Sequence, residues 1–197
     1  MERWSGLTAD EMQVLETTFW SSGGSRHGLA EVLGFSKSKA KALIANLVEQ
    51  GLLAEHGLQQ SSGGRRAENL KLNGALGAVV GVDIGATSLD VAVLRPDLSV
   101  LAQHGEPADV RQGPGVVLAR VRVLMRELLA QCHLTPKDVL GIGIGVPGPV
   151  NFAAGQLVNP PLMPAWDSFS IRDVLREEYA APVFVDNDVN LMALGEL

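Results

Sequence analysis

The spacing of apolar residues in this 197-residue chain changes at one place, the short segment Asn73-Gly74-Ala75-Leu76-Gly77. Upstream, apolar residues recur at helical intervals, as in Ala40, Leu43, Ile44, Leu47 and Val48. Downstream they come in short runs such as Ala78–Ile84 and Val139–Val146, punctuated by Gly, Pro or charge, and these read as strands. The length suits one large domain or two small ones, and the change of pattern favours two: residues 1–72 and 78–197, with 73–77 as a linker.

Charge divides in the same way. Residues 1–72 carry 8 basic and 8 acidic side chains, net 0, whereas 73–197 carry 8 and 14, net -6. Within 25–72 the count is 7 basic to 4 acidic, or +3. An acidic body with a mildly basic segment points to two modules with different partners. With 46% hydrophobic and 19% charged residues the chain is no disordered tail. No apolar run approaches the ~18 residues of a membrane span, and the N-terminus MERWSGLTADE lacks the pattern of a secretory signal. A cytoplasmic protein with no membrane partner is expected. The single Cys132 forbids an internal disulfide and a multi-cysteine zinc site, and its place on a helix suggests a core residue.

The first module reads as a winged helix-turn-helix. Thr8-Ala9-Asp10-Glu11 is a capping box, and Met12, Leu15 and Phe19 follow on one face. A second helix from Ser25 should bury Leu29, Val32 and Leu33 and end at Gly34. A third is capped by Ser36 and places Lys37, Ser38, Lys39 and Lys41 in or near its first turn, the end that a recognition helix directs at base edges and phosphates. Leu52–Leu58 and Ala67–Leu72 make a hairpin whose tip holds Gly63, Gly64, Arg65 and Arg66, residues suited to phosphate or a narrow minor groove. The plainer alternative is a small helical domain with a solvated lysine face.

The second module reads as β-β-β-α-β-α-β-α, mixed α/β with a covered sheet. Three motifs follow strands. Asp83-Ile84-Gly85-Ala86-Thr87 sets an acid, a glycine and a hydroxyl in a turn that could face phosphate and a hydrated metal; an ordinary hairpin is the alternative. Gly143-Ile144-Gly145-Val146-Pro147-Gly148-Pro149 fixes a rigid loop where a ligand can approach the backbone, or else a tight crossover. Asp186-Asn187-Asp188-Val189-Asn190 places polar groups just past a buried strand. Asn187 could clamp a sugar hydroxyl and Asp188 could accept a hydroxyl proton, or both could cap a helix.

Together the three motifs resemble the ROK family of bacterial sugar kinases and sugar-responsive repressors. GVDIGATSLDVAV is similar to the family's first phosphate loop, and GIGIGVPGPV and VDNDVNLMALGE to its sugar-side loop and catalytic segment. The winged helix in front is similar to the repressor branch. The resemblance implies an N-terminal winged helix-turn-helix followed by the N-terminal lobe of an actin-like, ribonuclease H-like sugar kinase fold. It implies a double-stranded DNA operator, a small sugar effector and a homodimer. In a kinase member Asp188 would be the catalytic base acting with ATP and magnesium; in a repressor it would contact a sugar hydroxyl. Asn187 would be a second sugar contact. Pro147 and Gly148 would line the pocket, and Asn159, Pro160 and Pro161 with Trp166 would close over the sugar. Asp83, Gly85 and Thr87 would face phosphates and metal.

Departures weigh against ATP. Ala86 and Ser88 stand where kinase members tend to have glycine and lysine. The family's zinc ligands and second lobe have no counterpart in the chain, so no metal or cofactor is expected here, with zinc expected only in a further C-terminal part. The reading that follows is a sugar-responsive transcriptional regulator, with a hexose or N-acetylhexosamine kinase as the alternative.

Overall fold

The computed structural model describes residues 6–21, 23–58 and 68–196, and the chain divides into two compact units, Met1–Leu76 and Gly77–Leu197. No helix among the described residues is long and apolar enough to cross a membrane.

The first unit runs α1 (Ala9–Trp20), β1 (Gly24–Ser25), α2 (Arg26–Val32), α3 (Lys37–Glu49), β2 (Leu53–Leu58) and β3 (Glu68–Leu72). Each helix starts on a side-chain oxygen that accepts an otherwise orphaned backbone N–H. Thr8 closes a reciprocal box with Glu11, Ser25 accepts from Gly28, and Ser36 accepts from Lys39. β3 is central in an antiparallel sheet of order β1-β3-β2. The two-residue strand β1 escaped the sequence reading. Val14, Leu15, Leu29, Ala30, Ala40, Ile44, Leu47, Leu53 and Leu70 form the core.

Two helix faces differ from expectation. α1 buries Val14, Leu15 and Thr18 with Glu11, whereas Met12 is exposed. Thr18 tolerates burial because its hydroxyl donates to Val14 O at 2.7 Å. In α2, Leu29 and Ala30 point inward and Val32 is 74% exposed. The segment expected as a linker is structured: Gly74–Leu76 form a 3-10 turn with Leu76 buried, and the Asn73 amide donates to Gly51 O. The expected hairpin tip, Gly63, Gly64, Arg65 and Arg66, lies outside the described residues.

The second unit opens with an antiparallel meander, β4 (Ala78–Ile84), β5 (Ser88–Leu94) and β6 (Val100–Pro107). α4 (Pro114–Gln131) leads to β7 (Val139–Val146), which pairs parallel with β4. A small hairpin, β8 (Val150–Asn151) and β9 (Gln156–Leu157), precedes α5 (Ile171–Arg176). β10 (Val183–Asn187) pairs parallel with β7, and α6 (Asp188–Gly195) follows directly. The sheet order is β10-β7-β4-β5-β6.

One face of this sheet is the core. Val80, Val82, Val91, Val93, Ile142, Ile144 and Val185 pack with Val121, Leu124, Met125 and Leu128 of α4 and with Ile171 and Leu175 of α5. The other face is not the covered one expected. By register it sets Gly81 beside Ala92, Gly143 and then Phe184. Its residues are small, polar or exposed, and a concavity of about 850 Å³ lies over it, lined among others by Gly81, Asp83, Asp90, Ala92, Gly143 and Leu191. Cys132 is half-buried at the C-cap of α4, on the edge of the core.

Candidate functional site

β4, β7 and β10 run parallel, so their C-terminal ends lie side by side, as the register pairs Asp83↔Gly145 and Asp186↔Gly145 show. In open α/β sheets this edge is where ligands enter. All three sequence motifs meet here. A cavity of about 300 Å³ is lined by Val82, Asp83, Gly145, Asp188, Leu191 and Met192, which brings Asp83 and Asp188 together. Gly145 sits between them: a Cβ there would stand 3.3 Å from Asp83 Oδ1, a tight contact, and 3.5 Å from Asp188 Cα.

Asp83 is exposed on the open face, yet partial desolvation, and then the negative charges of Asp188 and Asp90, push its carboxyl above its ordinary range. Asp90 faces Asp83 directly across the β4–β5 ladder, a neighbour that appears only once the hairpin register is known. Three acids crowded at one end favour a ligand that donates hydrogen bonds, as sugar hydroxyls do, and disfavour a bare anion.

The third motif carries the strand directly into a helix. Asp186 and Asn187 are still paired to β7, and Asp188 is the first residue of α6. Asn187 is the hinge. Its amide donates to Gly148 O at 3.1 Å and Val146 O at 3.4 Å, and its Oδ1 accepts the N–H groups of Val189 and Asn190. Its hydrogen-bonding capacity is therefore spent on tying β10, the Pro147-Gly148 loop and α6 together. Asp186 adds to the tie, accepting from Asn187 N–H and Asn190 Nδ2. Asp188 is half-buried and lines the cavity, and its Oδ1 accepts the Val189 N–H at 2.9 Å.

Gly148 packs against Pro160, with only 3.0 Å between the Pro160 Cβ and where a Gly148 Cβ would lie. This contact sets the Pro147-Gly148 loop against the Asn159-Pro160-Pro161 segment. Asn159 is exposed, has φ +45° and donates its N–H to Asp167. Trp166, implied as part of a closing hairpin, is wholly buried instead. Its indole N–H donates to Val110 O at 2.9 Å and its ring meets Phe169 edge-on, so it serves the core. Gly85 and Thr87 occupy the β4–β5 turn. A Cβ at Gly85 would fall 2.7 Å from Ser88 Oγ, so the serine side chain packs over the glycine. Among the described residues no cluster of three His, Cys, Asp or Glu is arranged to hold a metal ion.

A second candidate surface is α3. Ser36 is its N-cap, and Lys37, Ser38, Lys39 and Lys41 are all exposed on its first turns. Lys39 differs from its neighbours. Its Nζ lies 2.9 Å from Asp10 of α1 and 4.1 Å from the centroid of the Phe35 ring.

The model of the ROK family matches residues 79–197. The xylose repressor of Caldicellulosiruptor bescii is 27% identical over 187 residues, covering 95% of this chain and 47% of that protein. The glucokinase of Halalkalibacterium halodurans is 31% identical over 118 residues, covering 60% of this chain and 36% of that protein. Among solved structures, a ROK family transcriptional regulator, a homologue of the E. coli MLC protein, superposes with a TM-score of 0.68 at 22% identity over 95% of this chain and 47% of that one. The chain spans about half the length of the curated repressors it matches.

Proposed function

The chain belongs to the ROK family, and from that premise we propose that it acts in a sugar-responsive transcriptional repressor: the first unit binds operator DNA and the second senses a small sugar. The observation that carries this reading is the extent of the repressor likeness. Similarity to the xylose repressor runs through both units, whereas similarity to the glucokinase covers 60% of the chain. The three-helix unit with its antiparallel strands and its lysine-bearing α3 is the part that a sugar kinase has no need of.

In this reading α3 enters the major groove by its N-terminal turns. Ser36, Lys37, Ser38 and Lys41 reach phosphates and base edges, and Gly63, Gly64, Arg65 and Arg66 contact the backbone or minor groove alongside. Two copies of the chain read paired half-sites as a homodimer, in the cytoplasm. The sugar sits at the C-terminal strand ends, where the Asp188 carboxylate accepts a hydroxyl hydrogen bond and Pro147, Gly148 and Asn159 shape the wall. Asp83, Gly85 and Thr87 are the side on which a kinase relative would meet phosphates. The crowding of Asp83, Asp90 and Asp188 argues against a triphosphate there, so a hexose kinase with Asp188 as general base is the weaker reading.

A selection of random 20-bp duplexes on the protein, followed by anisotropy titration with and without D-xylose or D-glucose, tests the proposal. Enriched duplexes should bind at least about 1,000-fold more tightly than random DNA, and one sugar should shift that affinity. Failure to enrich any sequence would overturn it. Sugar-dependent ATP turnover abolished by Asp188→Asn would favour the kinase instead.

A further inference from the structure

Three of the cations at the start of α3 look alike in the sequence, yet the structure separates them. Among the described residues, Lys37 and Lys41 have no carboxylate within ion-pair distance, whereas Lys39 is held between Asp10 and the Phe35 ring. Farther along α3, Asn46 Nδ2 donates to Glu11 Oε1 at 2.5 Å. Glu11 is itself buried and fixed to the N-terminus of α1 by the Thr8 N–H and hydroxyl. Two polar braces thus run from one flank of α3 to the first turn of α1.

At 100° per residue, Lys39 and Asn46 project within about 20° of each other. Ser38, Ala42 and Ala45 share an adjacent face, opposite the buried Ala40, Ile44 and Leu47, and all three are exposed. We propose that Lys39 and Asn46 are positioning residues, not DNA contacts: anchored on Asp10 and Glu11, they fix the rotation of α3 so that Ser38, Ala42 and Ala45 face base edges while Lys37 and Lys41 reach the flanking phosphates. A lysine that stays on its carboxylate in the complex neutralises no phosphate and releases no counterion, so in this assignment Lys39 contributes nothing to the salt dependence of binding. Rotation of a recognition helix alters base contacts before it alters phosphate contacts, so loosening the brace lowers discrimination.

This assignment rests on the DNA-binding reading above, and its test separates the two. Binding of the chain to a duplex selected from a random 20-bp library, and to an unselected duplex, is measured across a salt series. Lys37→Ala and Lys41→Ala should each reduce the slope of log K against log salt by about 0.9. Lys39→Met should weaken the selected duplex about 5- to 10-fold while leaving the slope and the unselected duplex unchanged, and Lys39→Arg should restore binding. Asp10→Asn breaks the same brace without removing a cation and should reproduce the effect of Lys39→Met. A slope reduced by Lys39→Met, or an affinity and slope raised by Asp10→Asn, would overturn the assignment and place Lys39 on a phosphate masked by Asp10. Absence of duplex binding by the unmodified chain would overturn the DNA-binding reading itself, and this assignment with it.

Discussion

Asp83 and Asn187 face the same strand ends but are used in opposite ways. Asp83 is crowded by desolvation, Asp188 and Asp90, all of which oppose its ionisation. A carboxyl whose folded pKa is raised costs nothing below its unfolded value of 3.8, and its cost grows as pH rises from there to the folded value. Asp83→Asn should therefore raise the melting temperature at pH 7 and have no effect at pH 3. Solvent screening keeps the gain small, about 1–2 °C for a chain of this size. Calorimetry at the two pH values checks both the sign and its disappearance. Asn187 is engaged at both ends of its amide. Asn187→Asp keeps the helix cap but sets a carboxylate against the carbonyls of Val146 and Gly148, which should cost about 1–3 kcal/mol in urea unfolding. Asn187→Ser, which keeps a cap without the repulsion, should cost less.

The hairpin of β8 and β9 pairs only four strand residues, Val150 with Leu157 and Asn151 with Gln156. Arg172 of α5 adds a side-chain clip to that pairing. Its Nε donates to Val183 O at 3.0 Å, Nη1 to Ala153 O at 2.7 Å and Nη2 to Phe152 O at 2.8 Å. Gly155 makes this possible: it adopts φ +65°, and a Cβ would fall 2.8 Å from Arg172 Nε. Arg172→Ala should lower stability by about 2 kcal/mol and speed amide exchange across 151–157 while sparing β4 and β7. Uniform exchange along the chain would show that the clip is not local. None of this was visible in the sequence, because a guanidinium that binds three backbone carbonyls leaves no charge pair or spacing to read. What was legible shares one property: local chemistry and apolar period agree. The Thr8 box, the Ser36 cap, β4 and β7 all stand where the residues placed them. Where they disagreed the reading went astray. Met12 and Phe19 looked like the face of α1 until Thr18 proved able to satisfy its hydroxyl on its own helix. Asp186-Asn187-Asp188 reads as polar groups just past a buried strand; the strand instead runs through Asn187, which caps α6 as the capping alternative has it. Asp90 joins the site only through cross-strand register.

At the scale of the whole molecule, the proposed function requires that sugar and DNA affinities depend on each other. A sugar that bound equally well in DNA-competent and DNA-incompetent arrangements would shift nothing, however tightly it bound. Linkage makes the dependence reciprocal: whatever factor the sugar takes from duplex affinity, saturating duplex must take from sugar affinity. The charge division adds a second constraint. Residues 73–197 carry a net -6 and 1–72 a net 0, so under the proposed function attraction to DNA would belong to a few cations of the first unit, while sugar recognition at the acidic strand edge would be nearly free of salt dependence. Isothermal titration of the effective sugar into the protein, alone and saturated with the selected duplex, should give affinities that differ by about 5- to 150-fold. Anisotropy with and without sugar should return the same factor. Raising the salt should weaken both duplex affinities steeply and leave their ratio nearly unchanged, because the coupling resides in the sugar site and not in the phosphate contacts. A ratio of one at every salt concentration would leave two binding units that share a chain without communicating, and the sensor reading would fall. A ratio that collapsed with salt would mean that the sugar acts by changing charge at the DNA surface, and Asp188 would lose its place at the head of the mechanism.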